Sequence, residues 1–181
     1  IYDPAGITGE KINYLSEMLK IDRNKVETYA KKYGVEFVPG QKPWNVKVDI
    51  VMPCATQNDI HLEHAKQIVA NGVKYLVEGA NMPTTNEALE YLQAHGVIVG
   101  PAKAANAGGV ATSALEMSQN SMRMAWTAEE VDQKLHQIMI NIYNNAKNAS
   151  EKYGFGYNLV AGANIAGFVK VAEAMNAQGN Y

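Results

Sequence analysis

Three short stretches hold the groups from which a binding site can be built: Cys54-Ala-Thr-Gln57, Gly79-Ala-Asn81 and Asn106-Ala-Gly-Gly109. A side-chain amide offers both a donor and an acceptor. Small neighbours let a flat ligand come close to the backbone. Together these suit a ring bearing a carboxamide, such as nicotinamide, and its ribose. Ordinary turn and helix-cap chemistry is the competing reading for each stretch taken alone.

Other reactive residues support less. Cys54, the single cysteine, is either a packed, inert thiol or one whose reactivity depends on a ligand beside Ala55 and Thr56. His61 and His64 lie three apart, a metal-compatible spacing, but no third ligand accompanies them, which favours a solvated polar face. Lys103 reads as structural or surface rather than catalytic. Met117, Met122 and Met124 read as packing. No Gly-x-Gly-x-x-Gly follows a strand and opens a helix. The nearest candidate, Gly154-Phe-Gly156-Tyr-Asn-Leu159, lacks the third glycine and follows a helix. A pyrophosphate cradle, if one exists, is expected upstream of Ile1.

The elements that must position the three loops follow from a Gly-Val punctuation. Helix-like segments end at Gly34, Gly72 and Gly96, and each is followed at once by an apolar run. Glycine just past a helix end supplies the left-handed cap. A β-branched run after it predicts a buried strand. The predicted strands are Val35–Val38, Val48–Met52, Val73–Val77 and Val97–Val99. Between them, Leu62, Ala65, Ile68 and Val69 mark one helix. Thr84-Thr-Asn-Glu87, with capping-box spacing, opens another. Strands about 25 residues apart suit right-handed βαβ units and a parallel sheet. Helices are predicted over Glu10–Lys20 and Asn24–Lys32. A second capping box, Thr127-Ala-Glu-Glu130, precedes a long amphipathic helix through Ala149. A last helix spans about Asn158 to Ala177, with small residues that permit close backbone approach.

The fold class is therefore α/β: a partial doubly wound, Rossmann-like parallel sheet with a carboxyl-terminal helical extension. Residues 1–125 are assigned to the sheet domain and 126–181 to the extension. Ligands of such sheets bind outside the carboxyl ends of the strands, which is where all three loops fall.

Length and composition agree. A chain of 181 residues, 47% hydrophobic and 19% charged, can bury roughly 70% of its unfolded surface. A net charge of -2 gives no support for a nucleic-acid or anionic-membrane partner. No apolar run approaches the roughly 20 residues of a spanning helix. The lone cysteine fits a reducing, cytoplasmic setting. The opening Ile1-Tyr2-Asp3-Pro4 lacks an initiator Met, as if cut from something longer.

Five ordered motifs carry a resemblance. Pro53-Cys-Ala-Thr-Gln-Asn58, Glu78-Gly-Ala-Asn-Met-Pro-Thr-Thr85, Lys103-Ala-Ala-Asn-Ala-Gly-Gly-Val110, Glu116-Met-Ser-Gln-Asn120 and Asn158-Leu-Val-Ala-Gly-Ala-Asn-Ile-Ala-Gly-Phe168 resemble the carboxyl-terminal part of hexameric glutamate dehydrogenase. The resemblance runs from Ile1 to Tyr181. It implies interconversion of glutamate with 2-oxoglutarate and ammonia, with NADP, or alternatively NAD, exchanging the hydride. It implies a homo-hexameric full-length enzyme whose catalytic lysine and aspartate lie outside this chain, so that residues 1–181 alone are inactive.

By the same resemblance, Ala55, Thr56 and Gln57 form one cofactor loop, Ala80 and Asn81 the next, and Asn106 lies beside the nicotinamide ribose and carboxamide. Val110 and Ser113 match positions lining the glutamate side-chain pocket. Gly108 and Gly109 are expected to turn the chain tightly near the cofactor. Free N–H groups at the start of the following helix favour an anion. Ser113, expected in the first turn, can donate to the γ-carboxylate, although it also reads as a plain helix-start serine. The alternatives are a leucine, valine or phenylalanine dehydrogenase and a non-catalytic ligand-binding module. The last helix is expected to return towards the hinge of the cleft.

Overall fold

A computed structural model describes residues 1–21 and 26–179. It divides into two compact units, residues 1–43 and residues 44–181.

The first unit pairs α1 (Gly9–Ile21) with α2 (Val26–Tyr33). The predicted start of the second helix at Asn24 lies outside the described residues. The unit is pinned by a polar knot. Lys11 Nζ sits 2.6 Å from Asp3 Oδ2, and the Tyr29 hydroxyl donates to the same oxygen at 2.8 Å. The Lys11 bond, then that of Tyr29, holds the Asp3 carboxyl below its ordinary range. Burial, reinforced by Asp3, pushes the Tyr29 phenol up to about 12. Val35–Val38 does not form the predicted strand. Only Glu36 pairs, in an antiparallel bridge to Tyr2. A β-branched run without a parallel neighbour has no ladder to join, so propensity alone does not make a strand there.

The second unit holds β1 (Ile50–Val51), α3 (Leu62–Ala70), β2 (Tyr75–Val77), α4 (Asn86–Ala94), β3 (Ile98–Gly100), α5 (Ala102–Ala105), α6 (Gly108–Met122), α7 (Ala128–Lys152) and α8 (Leu159–Gln178). The strands form a parallel sheet in the order β1-β2-β3, with Ile50 opposite Tyr75 and Leu76 opposite Val99. β1 and β2 are shorter than their predicted runs, and β3 is shifted one residue later than Val97–Val99. Val73 and Val97 instead serve as buried core ahead of the ladder. Gly72 and Gly96, at φ of 75° and 80°, end α3 and α4 as expected and feed the chain into β2 and β3.

Alternation along the strands divides the sheet's faces. Val51, Leu76 and Val99 point to one side, where they pack with Ala65 and Ile68 of α3 and Ala88 and Leu92 of α4. Tyr75, Val77, Ile98 and Gly100 point to the other side and, with Met139, Ile142 and Ala146 of α7, line an apolar cavity of about 280 Å³.

The helix starts follow their capping chemistry, with one shift. Thr85, not Thr84, caps α4 by accepting the Ala88 N–H at 3.4 Å, because Thr84 is taken into a bridge with Ile60. The second box forms as predicted. Thr127 Oγ1 accepts from Glu130 N at 3.2 Å, and Glu130 Oε2 accepts from Thr127 N at 2.7 Å. Asn158 caps α8 through the Ala161 N–H. The small-residue stripe of α8 packs on α7. A Cβ built on Gly162 would lie 1.9 Å from the Ala146 carbonyl oxygen, so the two backbones are in contact there.

Candidate functional site

All three loops leave the carboxyl ends of the strands, and backbone bonds stitch the first two together. The Pro53 carbonyl after β1 accepts from Gly79 N at 3.1 Å and from Ala80 N at 2.9 Å, after β2. Asn58, held at a left-handed φ of 54°, donates its N–H to the Met82 carbonyl at 2.9 Å. Asparagine tolerates that conformation better than most residues. A Cβ at position 79 would sit 2.6 Å from Cys54 Sγ, so a side chain there would require the Cys54 thiol to turn aside.

The third loop is locked to the second by a side chain. Asn106, the residue that ends α5, donates from Nδ2 to Asn81 Oδ1 at 2.7 Å and to the Ala80 carbonyl at 3.3 Å. At the other end of α5, Glu78 Oε2 accepts the Ala102 N–H at 2.8 Å. Together the loops enclose an open, mostly polar cleft of about 550 Å³ lined by Ala55, Gln57, Gly79, Ala80, Asn81, Asn106 and Val110.

Six of the residues singled out from the sequence therefore meet in one place: Ala55, Gln57, Ala80, Asn81, Asn106 and Val110. Thr56 and Ser113 are exposed near this rim in sequence but do not line the cleft. Ser113 lies in the second turn of α6 rather than the first, and its Oγ donates to the Gly109 carbonyl at 3.4 Å. Gly108 and Gly109 also differ from expectation, since they form the first turn of α6 instead of a tight loop. The turn between α5 and α6 falls earlier, at Asn106–Ala107. A Cβ on Gly108 would only touch Leu135 and Met139 at 3.7 Å, whereas Gly109 faces open space.

The remaining candidates are not among the residues lining the cleft. Cys54 is exposed, not packed. His64 Nδ1 accepts the His61 N–H at 3.1 Å, so the pair caps α3. Among the described residues no group of three metal-ligating side chains exists. Lys103 Nζ donates to Asn164 Oδ1 of α8, a structural role as expected. Met117, Met122 and Met124 are exposed, which corrects their reading as packing; α6 meets α7 through its first turn instead. Sequence reasoning passed over Glu78 and the Pro53 carbonyl. A carboxylate closing an otherwise apolar strand was the available signal for the first; nothing in the sequence marks the second.

The family model for Glutamate/Leucine/Phenylalanine/Valine dehydrogenase matches residues 1–179. An NAD-specific glutamate dehydrogenase of Clostridium symbiosum is 65% identical, over 99% of this chain and 40% of its own length. An NADP-specific glutamate dehydrogenase of Haemophilus influenzae is 54% identical, over 100% of this chain and 40% of its own. A solved glutamate dehydrogenase superposes with a TM-score of 0.96 at 64% identity, covering 99% of this chain and 40% of that one. The chain thus spans about two fifths of the length of these relatives.

Proposed function

The chain belongs to the Glutamate/Leucine/Phenylalanine/Valine dehydrogenase family, and on that premise we propose that it is the nucleotide-binding, carboxyl-terminal part of a glutamate dehydrogenase. The observation that carries this reading is the meeting of Ala55, Gln57, Ala80, Asn81, Asn106 and Val110 around one polar cleft at the strand ends. Residues 1–125 form the cofactor-binding part and residues 126–181 the helical extension.

The residues present fit a nicotinamide ring and its ribose. Gln57, Asn81 and Asn106 offer amide donors and acceptors, and Ala55, Gly79 and Ala80 leave room beside them. When bound, the nicotinamide supplies the hydride acceptor or donor. Asn106 and Asn81 hold the carboxamide and ribose, and their mutual bond fixes both before the ligand arrives. Ala55, Thr56 and Gln57 close the neighbouring edge. Val110 packs against the methylenes of glutamate. Ser113 rotates from Gly109 to donate to the γ-carboxylate. The acid–base groups and the pyrophosphate cradle come from residues outside 1–181.

NADP is the proposed cofactor, with NAD the alternative, as relatives of both specificities match this chain. The full-length protein is proposed to be a cytoplasmic homo-hexamer that exchanges glutamate with 2-oxoglutarate and ammonia. No described helix is long and apolar enough to cross a membrane. The test is turnover: the full-length protein should oxidise glutamate with NADP or NAD, and residues 1–181 alone should not. Turnover by residues 1–181 alone would overturn the division of labour. Absence of turnover in the full-length protein would overturn the activity.

A further inference from the structure

We propose that Glu78 is a positioning residue for the cofactor cleft, acting through α5 on Asn106; the inference rests on the reading of that cleft as the nicotinamide site. Glu78 directly follows β2 and is only 5% exposed. Its backbone N–H joins the sheet by donating to Gly100 O at 3.0 Å. Its Oε2 leaves the ladder and accepts the Ala102 N–H, the first amide of α5, at 2.8 Å. Pro101, the residue that precedes α5, has no side-chain acceptor to offer, and none of Ala102–Ala105 is buried. This single turn is therefore held at its start by a carboxylate from the neighbouring strand end rather than by a cap of its own, while Lys103 bonds to Asn164 of α8 and Ala104 and Ala105 face the apolar cavity beside α7.

At its end sits Asn106, bonded back to Ala80 O and Asn81 Oδ1. Strand end, turn and loop form a closed circuit, and Glu78 fixes where along it Asn106 stands. A buried carboxylate is costly unless hydrogen-bonded, and its bond to an N–H is stronger than a neutral one. Such a group suits a part that must be held within a fraction of an ångström.

The test uses the full-length protein and reads dissociation of the reduced nicotinamide cofactor by its fluorescence. Glu78→Leu removes the acceptor and Glu78→Gln keeps a carbonyl oxygen in its place. Ala102→Pro removes the donor from the other side. Proline is tolerated at a first helical position, and Pro101, at φ -71° and ψ 147°, already has the conformation a following proline requires.

Glu78→Leu and Ala102→Pro should weaken cofactor binding about 10- to 100-fold, the effect of losing a hydrogen bond to a charged group. Glu78→Gln, which keeps a neutral acceptor, should weaken it less, by about 3- to 10-fold. The KM for glutamate at saturating cofactor should not move. Unchanged cofactor affinity in Ala102→Pro, or in a folded Glu78→Leu, would overturn the inference while leaving the site assignment intact. Failure of the parent protein to bind the cofactor would overturn both. If Glu78→Leu does not fold, Ala102→Pro decides alone.

Discussion

Asn106 and Asn81, 25 residues apart in sequence, meet through a 2.7 Å hydrogen bond from Nδ2 to Oδ1 across the mouth of the cleft. The bond joins the loop after β2 to the loop after β3. In replacing Asn106 by Ala, both this bond and the one to the Ala80 carbonyl are lost. Cofactor binding by the full-length protein should weaken by about 1–3 kcal/mol, one to two neutral hydrogen bonds. Isothermal titration checks this, and an unchanged affinity would remove Asn106 from the site.

In the proposed function, Ser113 is the residue that selects glutamate over an aliphatic or aromatic amino acid. Its Oγ now satisfies itself on the Gly109 carbonyl at 3.4 Å, a long bond that a carboxylate can outcompete. Ser113→Val should lower kcat/KM for glutamate by about 1.5–3 kcal/mol. Equal kcat/KM in the two proteins would remove Ser113 from the glutamate pocket and with it this ground for glutamate over leucine, valine or phenylalanine.

How much of this was legible from residue order is best judged at particular positions. The loops at 54–57, 79–81 and 106–110 could be placed on one rim because parallel βαβ units leave no other arrangement for successive strand ends. The Val35–Val38 run looked the same as the true strands, but whether an apolar run becomes a strand depends on a neighbour that local sequence does not name. Ser113 and the Gly108–Gly109 pair were misplaced by part of a turn, since helix starts are the least determined boundaries. Glu78 escaped notice because its partner, Ala102 N, is a backbone amide on another element.

Gly162 is the contact on which the α7–α8 pair closes. A Cβ there would meet the Ala146 carbonyl oxygen at 1.9 Å and Ser150 Cβ at 3.0 Å, and helix backbone cannot yield as a flexible side chain does. Gly162→Ala should destabilise the protein by about 1–3 kcal/mol or more despite the better helix propensity of alanine. Chemical denaturation measures it. A gain in stability would show that α8 does not lie this close.

Tyr143 and Tyr157 share a hydrogen bond at 2.8 Å between their hydroxyls. That bond first, then burial, pushes the Tyr157 phenol up from 10.0 to about 12. A raised folded pKa favours the protonated phenol. Its contribution is whole below pH 10 and is lost as pH rises through about 12. Tyr143→Phe should move one phenolate transition down towards 10, read by ultraviolet absorbance against pH. A transition that does not move would rule out the pair as the cause.

The most direct measurement is the electron density of the full-length protein crystallised with oxidised nicotinamide cofactor and glutamate. The nicotinamide ring should lie in the cleft between Ala55–Gln57 and Asn106, with its carboxamide or ribose bonded to Asn106 or Asn81. A ring bound elsewhere, with that cleft filled only by water, would contradict it.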